Sequence, residues 1–189
     1  MQPYFQGQLD VFCAIYAVLN GLSLTHRLRV ESARSILHES ILDMSRDREM
    51  FRQQLEQSVE YHDLVDRILN REVLQRDLLV RAPFGLQSRA RKEDVWDTLA
   101  RWLSRPRRAA VLRFIRPLAL PGEPIIRHWT TAESVRDETV VLFDCSLEKG
   151  AIREIGKVQL VTEQAGLRPG QVFVDPSSIR LLGAEAALQ

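Results

Sequence analysis

The hydrophobic periodicity of this chain changes once, near Arg108, and that change limits the fold more than any other feature. Up to about residue 104 apolar residues recur at helical spacing. Ile15, Val18, Leu19 and Leu22 fall at i, i+3, i+4 and i+7, and Ala33, Ile36, Leu37, Ile41 and Met44 repeat the stripe. The charge-rich stretch 46–76 continues helically, Ala82-Pro83-Phe84-Gly85 breaks it, and Val95, Trp96, Leu99, Trp102 and Leu103 form one more stripe over Lys92–Ser104. Beyond Arg108 come short β-runs: Ala109–Ile115, Ile125–Thr131, Thr139–Cys145, Gly150–Ile155 and Gln171–Asp175, the second and third joined by a polar turn at Glu133–Glu138. Helices first and antiparallel strands second predict an α+β domain. A single domain over residues 1–182 is expected, with a helical insertion over about 30–104. Residues 183–189 close the small-residue run that starts at Leu181, as a tail expected to lack fixed structure.

Within the first stripe stands a residue with chemical potential. Cys13 opens the helix-patterned run, and Gln8 lies five residues before it. A helix N-terminus presents unpaired N–H groups and a partial positive charge, which favour thiolate and can hold a developing oxyanion. The Gln8 amide could supply a second donor, with Gln6 as a more distant rival. Asp10 is placed to cap the helix, and Asn20, before Gly21, to mark its end.

A nucleophilic thiol needs a base. Of the four histidines, His26 lies in a basic turn and His38 and His62 in charged helical stretches, whereas His128 stands on a strand. The next β-run ends in Asp144, which in an adjacent strand could fix the imidazole tautomer and support its positive charge. Asp175, in Phe173-Val174-Asp175-Pro176, is an equally placed alternative. Taken singly, a free cysteine is most often a small core hydrophobe and a strand histidine a satisfied structural one. It is the set, in the order Gln8, Cys13, His128, Asp144, that points to nucleophilic catalysis.

This set resembles the papain-like cysteine peptidases, which place a nucleophile at the start of a central helix and a His followed by Asp or Asn on the sheet behind it. The Gln-x4-Cys-Ala spacing, Asn20 and His128-Trp129 followed by Asp144 are most similar to the Josephin-type and bacterial C39-like peptidases. The resemblance covers residues 3–22 and 125–147, with Ala14 where many relatives have Gly and no family motif between Leu22 and Arg107. It implies a papain-like fold, with the helical part packed on a C-terminal antiparallel sheet. It also implies roles for Gln8 (oxyanion hole), Cys13 (nucleophile), His128 (general base and acid) and Asp144 (orienter).

Composition removes several function classes. The 189 residues, 45% hydrophobic and 27% charged, suit one sizeable core. A net charge of +1 without long single-sign blocks gives no general affinity for nucleic acid or membrane. The arginines of Arg101–Arg116 read as a solvated helix face and a strand flank. No apolar run approaches the ~18 residues of a membrane span, and the N-terminus lacks a secretory layout, so a cytoplasmic protein is expected, delivery as an effector remaining compatible. Two cysteines make no disulfide framework, and neither has metal-ligand spacing, so no metal or cofactor is expected. Cys145, adjacent to Asp144 on a predicted strand, should face away from it as inert core.

The expected activity is therefore cleavage of a peptide or isopeptide bond in a protein or peptide substrate through a Cys13 thioester. A deamidase, transglutaminase or acyltransferase would use the same site, and a non-catalytic protein-binding module is the third class. The sequence carries no signal for oligomeric state.

Overall fold

The computed structural model describes residues 1–6, 12–55, 61–86, 89–118, 125–146 and 151–184. Among them the helices are α1 (Cys13–His26), α2 (Val30–Ser45), α3 (Arg48–Leu55), α4 (His62–Gln75) and α5 (Lys92–Leu103). The strands are β1 (Leu78–Arg81), β2 (Arg108–Pro117), β3 (Ile125–Arg136), β4 (Thr139–Leu142), β5 (Glu154–Gly156), β6 (Leu160–Val161), β7 (Val172–Val174) and β8 (Arg180–Ala184). They form one sheet in the order β1-β8-β2-β3-β4-β5, with β7 also beside β2 and β6 beside β7. The β6–β7 pair is parallel and the others antiparallel. The chain is thus α+β, its helices mostly ahead of its sheet. No described helix is long and apolar enough to cross a membrane.

Strand β2 is the spine because its sequence is apolar on both faces. Ala109 and Val111 join a core shared with α1, α2 and α4, whereas Ala110, Leu112 and Phe114 join a second core built on α5 and β4 to β7. Alternation carries the same division into β3, where Trp129 faces the first core and Ala132 the second. Register pairs Phe114 with His128 and Arg113 with Trp129.

Helix α1 lies directly on the first face. Ile15, Val18, Leu19 and Leu22 are buried, each contributing roughly 1.5–3 kcal/mol on burial. Gly21 permits the close approach: a Cβ there would sit 2.6 Å from Leu182 Cδ1. Thr131 Oγ1 donates to the Ala17 carbonyl at 2.6 Å, tying β3 to the helix.

Several sequence expectations change. Gly21 does not end α1, which runs to His26 and stops at Arg27 in the left-handed region (φ 52°), where the Arg27 N–H reaches Ser23 O. Asn20 is instead buried in mid-helix: its Oδ1 accepts from Tyr4 N at 2.7 Å and its Nδ2 donates to Tyr4 O at 3.2 Å. Tertiary packing overrides the local stop signal. Strand β1 lies within the segment read as helical insertion, pairing with β8 over four residues, too short a run to show a period. The chain end is likewise not a tail from Leu181, since Arg180–Ala184 fills the sheet between β1 and β2. Residues 185–189 lie outside the described residues. The turn expected at Glu133–Glu138 shrinks to Asp137-Glu138, both at positive φ (45° and 57°), the geometry of a two-residue type I′ hairpin.

Asn20→Ala would leave both Tyr4 backbone groups without their partner. We expect a loss of about 2 kcal/mol in urea unfolding, and an unchanged midpoint would show that other contacts hold the N-terminal segment.

Candidate active site

The site forms where β3 loses a neighbour. Strand β4 ends at Leu142, and after Phe143 N donates to Thr131 O the chain turns away, leaving the first half of β3 paired with β2 alone among the described residues. The segment Asp144–Ser146 lies along this open edge. Arg153 holds it there, Nη1 donating to Asp144 O at 3.0 Å and Nη2 to Ser146 O at 3.2 Å.

His128 and Thr130 are two apart on β3 and share a face. Both donate to one carboxylate oxygen: His128 Nε2 lies 2.8 Å from Asp144 Oδ1, and Thr130 Oγ1 lies 2.6 Å from the same atom. Asp144 Oδ2 accepts from Ser146 N at 3.3 Å. Asp144 itself is fully enclosed, at 1% exposure. Phe114, opposite His128 in the register, packs edge-on against the imidazole at 5.6 Å between centroids.

Cys13 opens α1 and is half-buried, close enough to His128 for its thiol to help raise the imidazole. With Nε2 donating to Asp144, Nδ1 is the ring nitrogen that carries the remaining lone pair. The N-cap residue Phe12 has no polar side chain to occupy the first-turn amides. Tyr61, buried at the start of α4, lies close enough to feel Cys13, and burial first and then the Cys13 charge push its phenol up.

The charges follow from these contacts. Burial on its own would disfavour the His128 imidazolium. The hydrogen bonds from Asp144, Cys13 and Cys145 outweigh it and hold the ring well above its ordinary value of about 6.5. Burial would likewise raise Asp144, but the His128 partner, Thr130 and the Ser146 amide keep its carboxyl below the usual range.

His128 and Asp144 are hydrogen-bonded and Cys13 lies near the ring, while Gln8 and Asp10 lie outside the described residues. Asp175 does not reach His128. It caps the 3₁₀ turn Pro176–Ser178 through Ser177 N (3.0 Å) and Ser177 Oγ (2.7 Å), and lies 3.4 Å from Arg113 Nη1 and 3.5 Å from His62 Nε2. Those partners belong to the Arg113–Trp129 face, opposite His128.

Cys145 departs from the sequence expectation. It is buried, as expected, but does not face away: its Sγ lies 3.8 Å from His128 Nε2 and 3.9 Å from Gln6 Oε1. Strand alternation fails there because β4 has already ended. Burial raises the Cys145 thiol, with the His128 charge opposing. Gln6 also donates its backbone N–H to Cys145 O at 3.0 Å, so the N-terminal segment runs beside Asp144–Ser146. Of the residues the sequence reading missed, Thr130 alone had a signal, its i+2 spacing from His128 on one strand.

No protein-family model matches the chain, and no curated protein is significantly similar to it.

Two linked titrations should be measurable. The NMR titration of His128 should have a midpoint above 6.5, and Asp144→Asn should lower it by removing the carboxylate. Because the His128 value is raised, its stabilising contribution is complete below the unfolded-state value near 6.5 and is lost as pH rises through the folded value. Asp144 is depressed, so its contribution is present above the unfolded-state value of about 3.9 and is lost as pH falls through the folded one. A wild-type midpoint at or below 6.5 would contradict the buried pair.

Proposed function

We propose that this chain is a papain-like cysteine hydrolase that cleaves a peptide or isopeptide bond in a protein or peptide substrate in the cytoplasm. The observation that carries this reading is the hydrogen bond from His128 Nε2 to Asp144 Oδ1, with Cys13 beside that ring at the first turn of α1. A nucleophile beside a base that is itself oriented by a buried carboxylate is the arrangement acyl transfer requires.

The residues divide the work as follows. The Cys13 proton passes to His128, and the sulfur attacks the carbonyl carbon, forming a tetrahedral oxyanion. Amides at the first turn of α1 face the charge, with the Gln8 side chain as second donor. His128 then gives its proton to the leaving amine, and the C–N bond breaks to leave a Cys13 thioester. Water, deprotonated by His128, attacks this thioester, and the thiolate leaves with the carboxylic acid released. Asp144 stays ionised throughout and keeps the imidazole in place. Thr130 and Ser146 stop that carboxylate from turning.

The test needs no knowledge of the substrate. Treated with chloroacetamide at neutral pH and read by mass spectrometry, the protein should be alkylated at Cys13 on the order of 10²-fold faster than at Cys145, because a buried thiol with a raised pKa is a poor nucleophile. His128→Ala should remove most of that advantage. Equal labelling of the two thiols, or a Cys13 rate indifferent to His128, would sink the assignment.

Once a hydrolysed substrate is found, Gln8→Ala should lower turnover by roughly 10²–10³-fold with little change in substrate affinity, since an oxyanion donor acts mainly on the tetrahedral state. Unchanged turnover would remove Gln8 from the hole.

A further inference from the structure

Three donor atoms of different chemistry cluster on the Nε2 side of His128. His128 Nε2, Asp144 Oδ1 and Cys145 Sγ all lie within 4.8 Å of one another. Nε2 is 2.8 Å from the carboxylate oxygen and 3.8 Å from the sulfur. A soft sulfur, an imidazole nitrogen and a carboxylate oxygen together suit zinc far better than magnesium or calcium, which favour all-oxygen shells. Sequence spacing hid the set. His128 is distant in the chain, and Cys145 follows Asp144 directly, so no local ligand motif exists.

We propose that these three side chains form a binding site for a thiophilic divalent cation of the Zn²⁺ class, and that its occupation excludes the Cys13 chemistry. The second half rests on the function proposed above; the first does not. Tetrahedral coordination at ordinary zinc bond lengths sets nitrogen and oxygen ligands about 3.3 Å apart and nitrogen and sulfur about 3.6 Å apart. The present nitrogen-to-sulfur distance of 3.8 Å is already close to that value. The nitrogen-to-oxygen pair must open from its hydrogen-bonded 2.8 Å by about half an ångström, and the oxygen and sulfur, which lie within 4.8 Å of each other, must settle about 3.6 Å apart. Outer-shell support is in place, since Thr130 Oγ1 and Ser146 N donate to the two oxygens of Asp144 and fix its plane. The fourth coordination position is left to water.

Binding exchanges protons for metal. Cys145 loses its thiol proton and His128 its Nε2 proton, both to solvent, and Asp144 exchanges its imidazole hydrogen bond for a metal bond. The remaining imidazole proton then sits on Nδ1. A ring in that state has no lone pair for the Cys13 proton, so metal and catalysis compete for one imidazole.

Cobalt(II) is the probe, because a thiolate ligand gives it a near-ultraviolet charge-transfer band and a four-coordinate site gives strong visible bands. Titrated into metal-free protein, Co²⁺ should bind saturably at one equivalent with both features, and Zn²⁺ should displace it. Cys145→Ser should abolish the charge-transfer band and weaken Zn²⁺ by roughly 10²-fold or more, beyond the usual effect of losing an outer-shell partner. Cys13→Ala should keep the band and the affinity. Circular dichroism of each variant checks the fold, and Cys145→Ala provides a second substitution if serine disturbs it. In wild-type protein, saturating Zn²⁺ should slow alkylation of Cys13. A band that survives in both Cys145 variants, a band lost in Cys13→Ala, or no saturable binding of either metal overturns the site. If Cys13 proves unreactive without metal, the hydrolase reading fails while the cobalt spectra still decide the site.

Discussion

The site depends on how closely helix α1 lies on the sheet. Gly21 against Leu182 and the Thr131 hydroxyl on the Ala17 carbonyl fix the helix on β2, β3 and β8. With the axis held at those two places, the N-terminal end of the helix is carried to the open edge of β3. That geometry brings Cys13 to His128, even though alternation puts His128 on the face away from the helix body. Packing at residues with no chemical role thus sets the position of the residue that has one. A methyl group added at position 21 would have to displace Leu182, and the displacement would be felt a few turns away at Cys13.

The electrostatics at the edge follow from enclosing one carboxylate. A buried Asp144 is tolerable only if its oxygens are satisfied, and Thr130, His128 and the Ser146 amide do this together. The hydrogen bonds that stabilise the anion also fix its direction, so His128 is held by a partner that cannot rotate. This is why the sign of the His128 shift opposes its burial. The pair is intact between the acid limit set by Asp144 and the alkaline limit set by His128, a window that includes neutral pH.

The sequence carried the long-period features and lost the short ones. Helices α1, α2 and α5 were legible because their apolar stripes extend over several turns, and β2 and β3 because their runs are long and β-rich. Strand β1, at four residues, is hidden in a helical neighbourhood, and β8 resembles a tail because Leu181, Leu182, Gly183 and Ala184 show neither alternation nor charge. Both are made by pairing with distant strands, and pairing has no local signal. At the site, His128 and Asp144 were legible as strand residues, while the choice against Asp175 was not. It depends on which face of β3 each acid approaches, and that is set by the register of β2 and β3. Cys145 escapes the alternation rule for a related reason, because the strand before it stops at Leu142.

Two thiols stand on one imidazole, and their surroundings separate their chemistry. Cys13 is half-exposed at the first turn of a helix, where backbone amides can meet a developing oxyanion. Cys145 is enclosed on an irregular segment beside a carboxylate, and burial raises its thiol. An attack from Cys145 would build negative charge next to Asp144. An attack from Cys13 builds it at the positive end of a helix dipole. In the proposed reading the imidazole therefore has a reactive side at Nδ1 and an orienting side at Nε2. Cys145 belongs to the orienting side, where a sulfur adds nothing to acyl transfer but supplies the soft ligand that a carboxylate and an imidazole alone would lack.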